Sequence, residues 1–155
     1  INAALDALAI SRREEGLALT AVLVALVDRI EMLVAQAHDL AEGQPAAIKE
    51  RFARRMAELI GEAAPADKIV TEAAAMAGKA DVREELDRLR AHVDAARAHI
   101  IGEGPQGRRL DFLTQEFMRE ANTLCSKSAL GAMTTVGLDL KATIEQFREQ
   151  VQNVE

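Results

Sequence analysis

Tryptophan and tyrosine are absent, and four phenylalanines leave aromatics at 3% of the 155 residues. A core without large rings has to be built from Leu, Ala, Val and Ile, which favours helices. Only three prolines interrupt the chain, which points the same way. One cysteine excludes an internal disulfide and a cysteine-based zinc site, and a lone thiol fits a reducing compartment. No charged-then-apolar leader and no long apolar run is found, so neither a signal segment nor a membrane span is expected. Strand-type alternation, internal repeats and low-complexity tails are missing too. The net charge of −6 argues against a strong footprint of this chain on nucleic acid, so any RNA contact needs local positive charge.

What is present is 49% hydrophobic and 28% charged residues in a length that suits one domain with a real core. The chain starts at Ile1 rather than Met and is in helical register from the outset, the expectation for a piece of a longer protein. Leu19, Leu23, Leu26, Ile30, Leu33, Ala37 and Leu40 alternate steps of four and three, which is a heptad seam. This predicts a first helix from near residue 2 to Glu42, with Gly43 as its stop and Pro45 opening the next element. A second helix reaches about Ile60 and ends at Gly61 and Pro65, and a third covers roughly 66 to 77 before Gly78.

Asp81 with Glu84 three residues on has the form of a capping box for a helix over about 81 to 101. "GEGPQG", residues 102 to 107, is the clearest turn in the chain. A final helix carries Met133, Gly137, Leu140, Ile144, Phe147, Val151 and Val154 at heptad spacing. The expected fold is all-α: an elongated bundle of long, antiparallel, coiled-coil-like helices. Residues 1–78 form a long helical hairpin arm in this reading, and residues 79–155 a motif-bearing hairpin plus the final helix.

The stretch "GRRLDFLTQEFMREANTLCSKS", residues 107 to 128, spans about six helical turns. At about 100° per residue, Leu110, Leu113, Phe117, Ala121 and Leu124 make one apolar stripe. Arg108, Asp111, Gln115, Arg119, Asn122 and Ser126 share a polar sector, and Arg109, Glu116, Glu120, Thr123 and Lys127 share another. Phe112 falls between the two polar sectors. A ring set among arginines, carboxylates and amides predicts that something covers one of them: a helix, another subunit or a ligand.

On the preceding helix Val82, Leu86, Leu89, Val93, Ala96 and Ile100 form the core face, flanked by Glu85, Arg88, His92 and His99. Such a shoulder could hold a metal, move a proton or bind phosphate, although its spacing is not that of a HExxH metal helix; the plain alternative is a half-buried, hydrogen-bonded histidine. Glu116 and Glu120, four apart, could offer oxygens to one divalent ion, with His92 or Asp111 nearby. Their plain alternative is ion pairing with Arg109 and Lys127. Cys125 reads as a small core filler, and "GEGPQG" lacks the lysine and hydroxyl of a phosphate-binding loop.

"KADVREELDRLRAH" (79–92), "GRRLDFLTQEFMREANTLCSKS" and "LKATIEQFREQVQNVE" (140–155), in this order, resemble the C-terminal half of the YicC family, bacterial cytoplasmic proteins long labelled stress-induced or of unknown function and since described as endoribonucleases. The resemblance implies a metal-dependent, oligomeric enzyme cleaving RNA, with Mg²⁺ or Mn²⁺ as the ion that hard oxygen ligands suit. Its implied functional positions are Asp81, Glu84, Glu85, Arg88, His92, Arg108, Arg109, Asp111, Gln115, Glu116, Arg119, Glu120, Asn122, Ser126 and Lys127. Among these, His92, Glu85, Asp111, Glu116 and Glu120 are the candidates for catalysis, and Glu116 and Glu120 also for the metal. Arg88, Arg108, Arg109, Arg119 and Lys127 are the candidates for RNA. Expected partners are RNA, the protein's own N-terminal half and further copies of the chain, with no membrane. The competing reading is a non-catalytic oligomerisation or scaffold module, its polar stripes serving as interhelical ion pairs beside an N-terminal catalytic half.

Overall fold

A computed structural model describes residues 2–60 and 66–154. Six helices are found there: α1 (Asn2–Ala41), α2 (Gln44–Ile60), α3 (Ala66–Lys79), α4 (Arg83–Ile100), α5 (Gly107–Lys127) and α6 (Gly131–Val151). No strand occurs among the described residues, in line with the all-α expectation. The expected stop at Gly61 and Pro65 lies outside the described residues. Gly78 does not stop α3, which continues through it to Lys79.

α1, α4, α5 and α6 form a four-helix bundle in which each helix packs on two neighbours and runs antiparallel to both. Arg97, late in α4, meets Asp28 and Glu31 of α1 at 2.7 Å each, while the start of α4 lies at the C-terminal end of α1. The long first helix therefore lies along the last one, and α4 and α5 form the hairpin expected at "GEGPQG". In that turn Gly104 has φ +79°, a conformation L side chains rarely adopt.

The core consists of Leu and other aliphatic side chains around Phe117 and Phe147, whose rings meet edge to face at 6.3 Å. The apolar stripes expected on α4, α5 and α6 are the buried ones, apart from Ile100 and Val154, which are partly covered. On α1 the buried stripe is wider than a heptad seam: Leu23, Val27, Ile30, Leu33, Val34 and Ala37. A helix that faces both α4 and α6 needs an apolar face of this width, whereas a two-stranded coiled coil needs only its seam.

Within residues 1–78, read from the sequence as an arm, the second half of α1 belongs to the bundle and only α2 and α3 pair as a hairpin beside it. Ile48 and Ala73 are buried within that hairpin. Its base is fastened by Gln44, 3% exposed. The Gln44 Nε2 donates to the Ala80 carbonyl at 3.1 Å, and its Oε1 accepts the Ala129 N–H at 2.6 Å. One amide thereby ties the α1–α2 turn to the α3–α4 and α5–α6 connections. No sequence pattern signals it, because its partners are backbone atoms distant along the chain.

Candidate active site between two antiparallel helices

α4 and α5 bury their apolar stripes against the rest of the bundle, and the shoulders of those stripes face each other. Because the helices are antiparallel, residues ascending α4 meet residues descending α5. Glu85 therefore faces Lys127, Arg88 faces Glu120, and His92 comes beside Glu116 and Glu120. This is a polar ladder built from one side of each helix.

At its lower end the Lys127 Nζ donates to Glu85 Oε1 at 2.8 Å and to the Asp81 carbonyl at 3.0 Å. Glu85 is buried, and its Oε2 has no hydrogen-bond partner among the described residues. In the middle, Arg88 donates to Glu120 Oε1 at 3.3 Å and also to Glu84 on its own helix. These two carboxylates, Glu84 first, raise the Arg88 pKa above its ordinary value and hold it charged. At the upper end one donor atom each of His92, Glu116 and Glu120 lie within 4.8 Å of one another.

Glu120 is 2% exposed, and Arg88 engages it through one oxygen. Among the described residues Glu116 pairs with Arg119, at 3.7 Å, also through one oxygen. The His92 ring stands edge-on to Phe117 at 5.7 Å, so the core fixes its plane. Its Nε2 is buried without a hydrogen-bond partner among the described residues. A buried imidazole nitrogen is rarely left unsatisfied. His92, Glu116 and Glu120 together form a donor set of the kind that could hold a divalent cation.

The capping box expected at Asp81 does not form, because the cap position falls on Val82, which makes no side-chain cap hydrogen bond. Asp81 Oδ1 accepts the Arg83 N–H at 3.0 Å, but Glu84 turns outward to Arg88 instead of reaching back to the backbone. The helix begins two residues later than expected, which takes Glu84 out of the reciprocal position. The Arg83 guanidinium, then its backbone N–H, holds the Asp81 carboxyl below the ordinary aspartate value. Arginine and lysine pairing at Glu116 and Glu120 also differs from expectation. The partners are Arg119 and Arg88, and Lys127 lies too far along α5 and is held by Glu85.

Of the residues singled out from sequence, His92, Glu116 and Glu120 converge, with Arg88 attached to them. Asp111 is not in that group: it accepts a hydrogen bond from Gln115 Nε2 at 3.0 Å on its own helix. His99 lies at the opposite end of α4, paired through Nδ1 with Gln106 Oε1 at 3.0 Å. Arg108, Arg109 and Arg119 are exposed along α5, as are Asn122 and Ser126. Cys125 packs against Gly137 of α6, which supports its reading as a filler.

The fold and site define an all-α protein with an acidic and histidine cluster where α4 packs on α5, on a helix that also carries exposed arginines. Residues 37–155 match the family described as Endoribonuclease YicC-like, C-terminal, and the chain belongs to that family. It is 36% identical over 130 residues to a Haemophilus influenzae protein named "Probable endoribonuclease YicC", covering 82% of this chain and 45% of that relative. It is also 30% identical over 146 residues to a Clostridioides difficile protein of the same name, covering 93% of this chain and 50% of that relative. The chain thus spans about half the length of these curated relatives. Among the described residues no helix is long and apolar enough to cross a membrane.

Proposed function

We propose that this chain is the C-terminal helical half of an endoribonuclease and that the α4–α5 seam is its catalytic face. The observation that carries the reading is the convergence of His92, Glu116 and Glu120 within 4.8 Å, with the buried His92 Nε2 lacking a partner. Glu116 and Glu120 are the carboxylates that would hold Mg²⁺ or Mn²⁺, with His92 as the third donor. Bound there, the ion supplies positive charge to a phosphodiester whose negative charge grows during cleavage. Arg119, exposed and only loosely held by Glu116, and the exposed Arg108 and Arg109 attract the RNA backbone. Arg88 and Lys127 hold Glu120 and Glu85 in place.

The exposed Arg108, Arg109 and Arg119 are the local cations of a chain that is acidic as a whole. Ile10 and Leu17, exposed on α1, supply apolar surface for assembly into a homo-oligomer.

The test is RNA cleavage by the full-length protein and by this chain alone, each with chelator and with added Mn²⁺, alongside calorimetry of Mn²⁺ binding. Chelation is expected to stop cleavage and Mn²⁺ to restore it. Glu120→Gln should weaken Mn²⁺ binding at least tenfold. Cleavage that persists in chelator, or Mn²⁺ binding unaffected by Glu116→Gln and Glu120→Gln, removes the metal-dependent reading.

The scaffold reading draws on a different observation, the Lys127–Glu85 and Arg88–Glu120 pairs that join α4 to α5. It predicts that substitutions along the ladder lower the melting temperature and leave activity per folded molecule unchanged.

A further inference from the structure

Phe112 is 60% exposed on α5, although Leu110, Leu113 and Phe117 of the same helix are buried. The ring takes no part in the core, and the arrangement proposed above gives it no role. Its neighbours on the helix surface are set by helical spacing. Arg108 and Arg109 lie one turn before it, Glu116 one turn after it, and Arg119 two turns after it on nearly the same side. An exposed ring between guanidinium groups, about 6 Å along the helix axis from a carboxylate of the His92–Glu116–Glu120 cluster, combines the two elements that hold a single-stranded nucleic acid. These are positive charge for the backbone and an aromatic face for a base.

We infer that Phe112 is a base-stacking residue that positions an unpaired nucleotide of the RNA beside the α4–α5 seam. This rests on the RNA-cleaving reading above and adds a substrate-contacting residue to it. Stacking needs a base that has left its own helix, so the contact selects unpaired over duplex RNA at this point. It is tolerant of base identity, because every base presents a π-face.

The absence of tryptophan and tyrosine from the chain makes a direct test possible. Phe112→Trp introduces the only indole, at a site exposed enough to accept it. In the chain, with chelator present to prevent cleavage, the emission of that indole is followed while a single-stranded oligoribonucleotide is added. Binding is followed separately through the anisotropy of the labelled oligonucleotide. Quenching should parallel binding for the base-containing strand and be absent for an abasic strand of equal length. Phe112→Ala should weaken binding roughly tenfold or more without changing the salt dependence, since stacking releases no counterions. Phe112→Tyr should retain binding and Phe112→Leu should not.

No binding, binding without quenching, or equal affinity of the Ala and Tyr variants overturns the inference. So does a loss of self-association in Phe112→Ala with RNA affinity intact, which would make the ring a protein contact. The two proposals fail separately. Quenching in Phe112→Trp combined with full activity in Glu116→Gln and Glu120→Gln rejects the metal site and leaves stacking standing. Loss of activity in the glutamate variants without quenching rejects stacking alone.

Discussion

At the scale of single residues, the strongest constraint in the ladder is Glu85. Its side chain is 6% exposed, and among the described residues Lys127 is the cation in ion-pair contact with it. A carboxylate taken from water is tolerated when it is paired and is costly when its partner is removed. Lys127→Met is therefore expected to destabilise the chain by about 3 kcal/mol at neutral pH. Adding Glu85→Gln should recover most of that loss, because the amide carries no charge to strand. Urea denaturation of the single and double variants reads this directly, and equal stability of the two would show that a stranded Glu85 charge is not what destabilises the chain. His92 is the contrasting case: its edge contact to Phe117 ties it to the core, but its Nε2 makes no such tie. Fixed in orientation and unsatisfied at one atom, it is suited to a ligand's approach.

At the scale of elements, the separation of α5 and α6 is set where Gly137 faces Cys125. A Cβ at Gly137 would lie 2.5 Å from the Cys125 Sγ, a distance that side chains do not reach without movement. Gly137→Ala gains up to about 1 kcal/mol of helix propensity. Overpacking in a well-filled contact costs about 1–3 kcal/mol. The net expectation is a lower melting temperature for Gly137→Ala and a clear recovery in Gly137→Ala combined with Cys125→Ala. Such non-additivity is the mark of residues in contact. Additive losses from the two substitutions would show that Cys125 turns aside without cost. The same contact explains why a glycine in a strong helical pattern keeps its place: helix approach, and not a break in the helix, requires it.

At the scale of the whole molecule, α1 has 40 residues where α4 has 18 and α6 has 21. At 1.5 Å per residue it outruns its bundle partners by roughly half its length, and residues 10–18 are exposed all round. Ile10 is 57% exposed and Leu17 is 73% exposed. A helix segment with no buried side chains opens easily. In the dilute monomer, the amides of residues 10–18 should exchange with solvent on the order of 100-fold faster than those of Leu23 to Ala37. As concentration rises and light scattering reports a mass above 16.8 kDa, exchange in this segment should slow. A mass and an exchange pattern that both ignore concentration would reject assembly through the overhang.

The sequence by itself determined the elements. Helical periodicity is local: apolar residues at steps of three and four mark one face, and glycines and prolines mark turns, so the buried stripes of α4, α5 and α6 were legible. So was the grouping of Glu116 with Glu120, because residues four apart on a helix must share a face. Phe112 was also visible as a ring out of place. The tertiary structure decided which faces meet. Antiparallel packing of α4 on α5 selects His92, rather than Asp111, as the neighbour of the two glutamates. It gives Glu120 to Arg88 and Glu85 to Lys127, pairs 32 and 42 residues apart that no local pattern links. The structure also widened the expected heptad seam of α1, since a helix facing two neighbours buries more of its circumference than a helix facing one. Spacing along a helix fixes which side chains share a face, whereas the choice of partner depends on where distant segments come to rest.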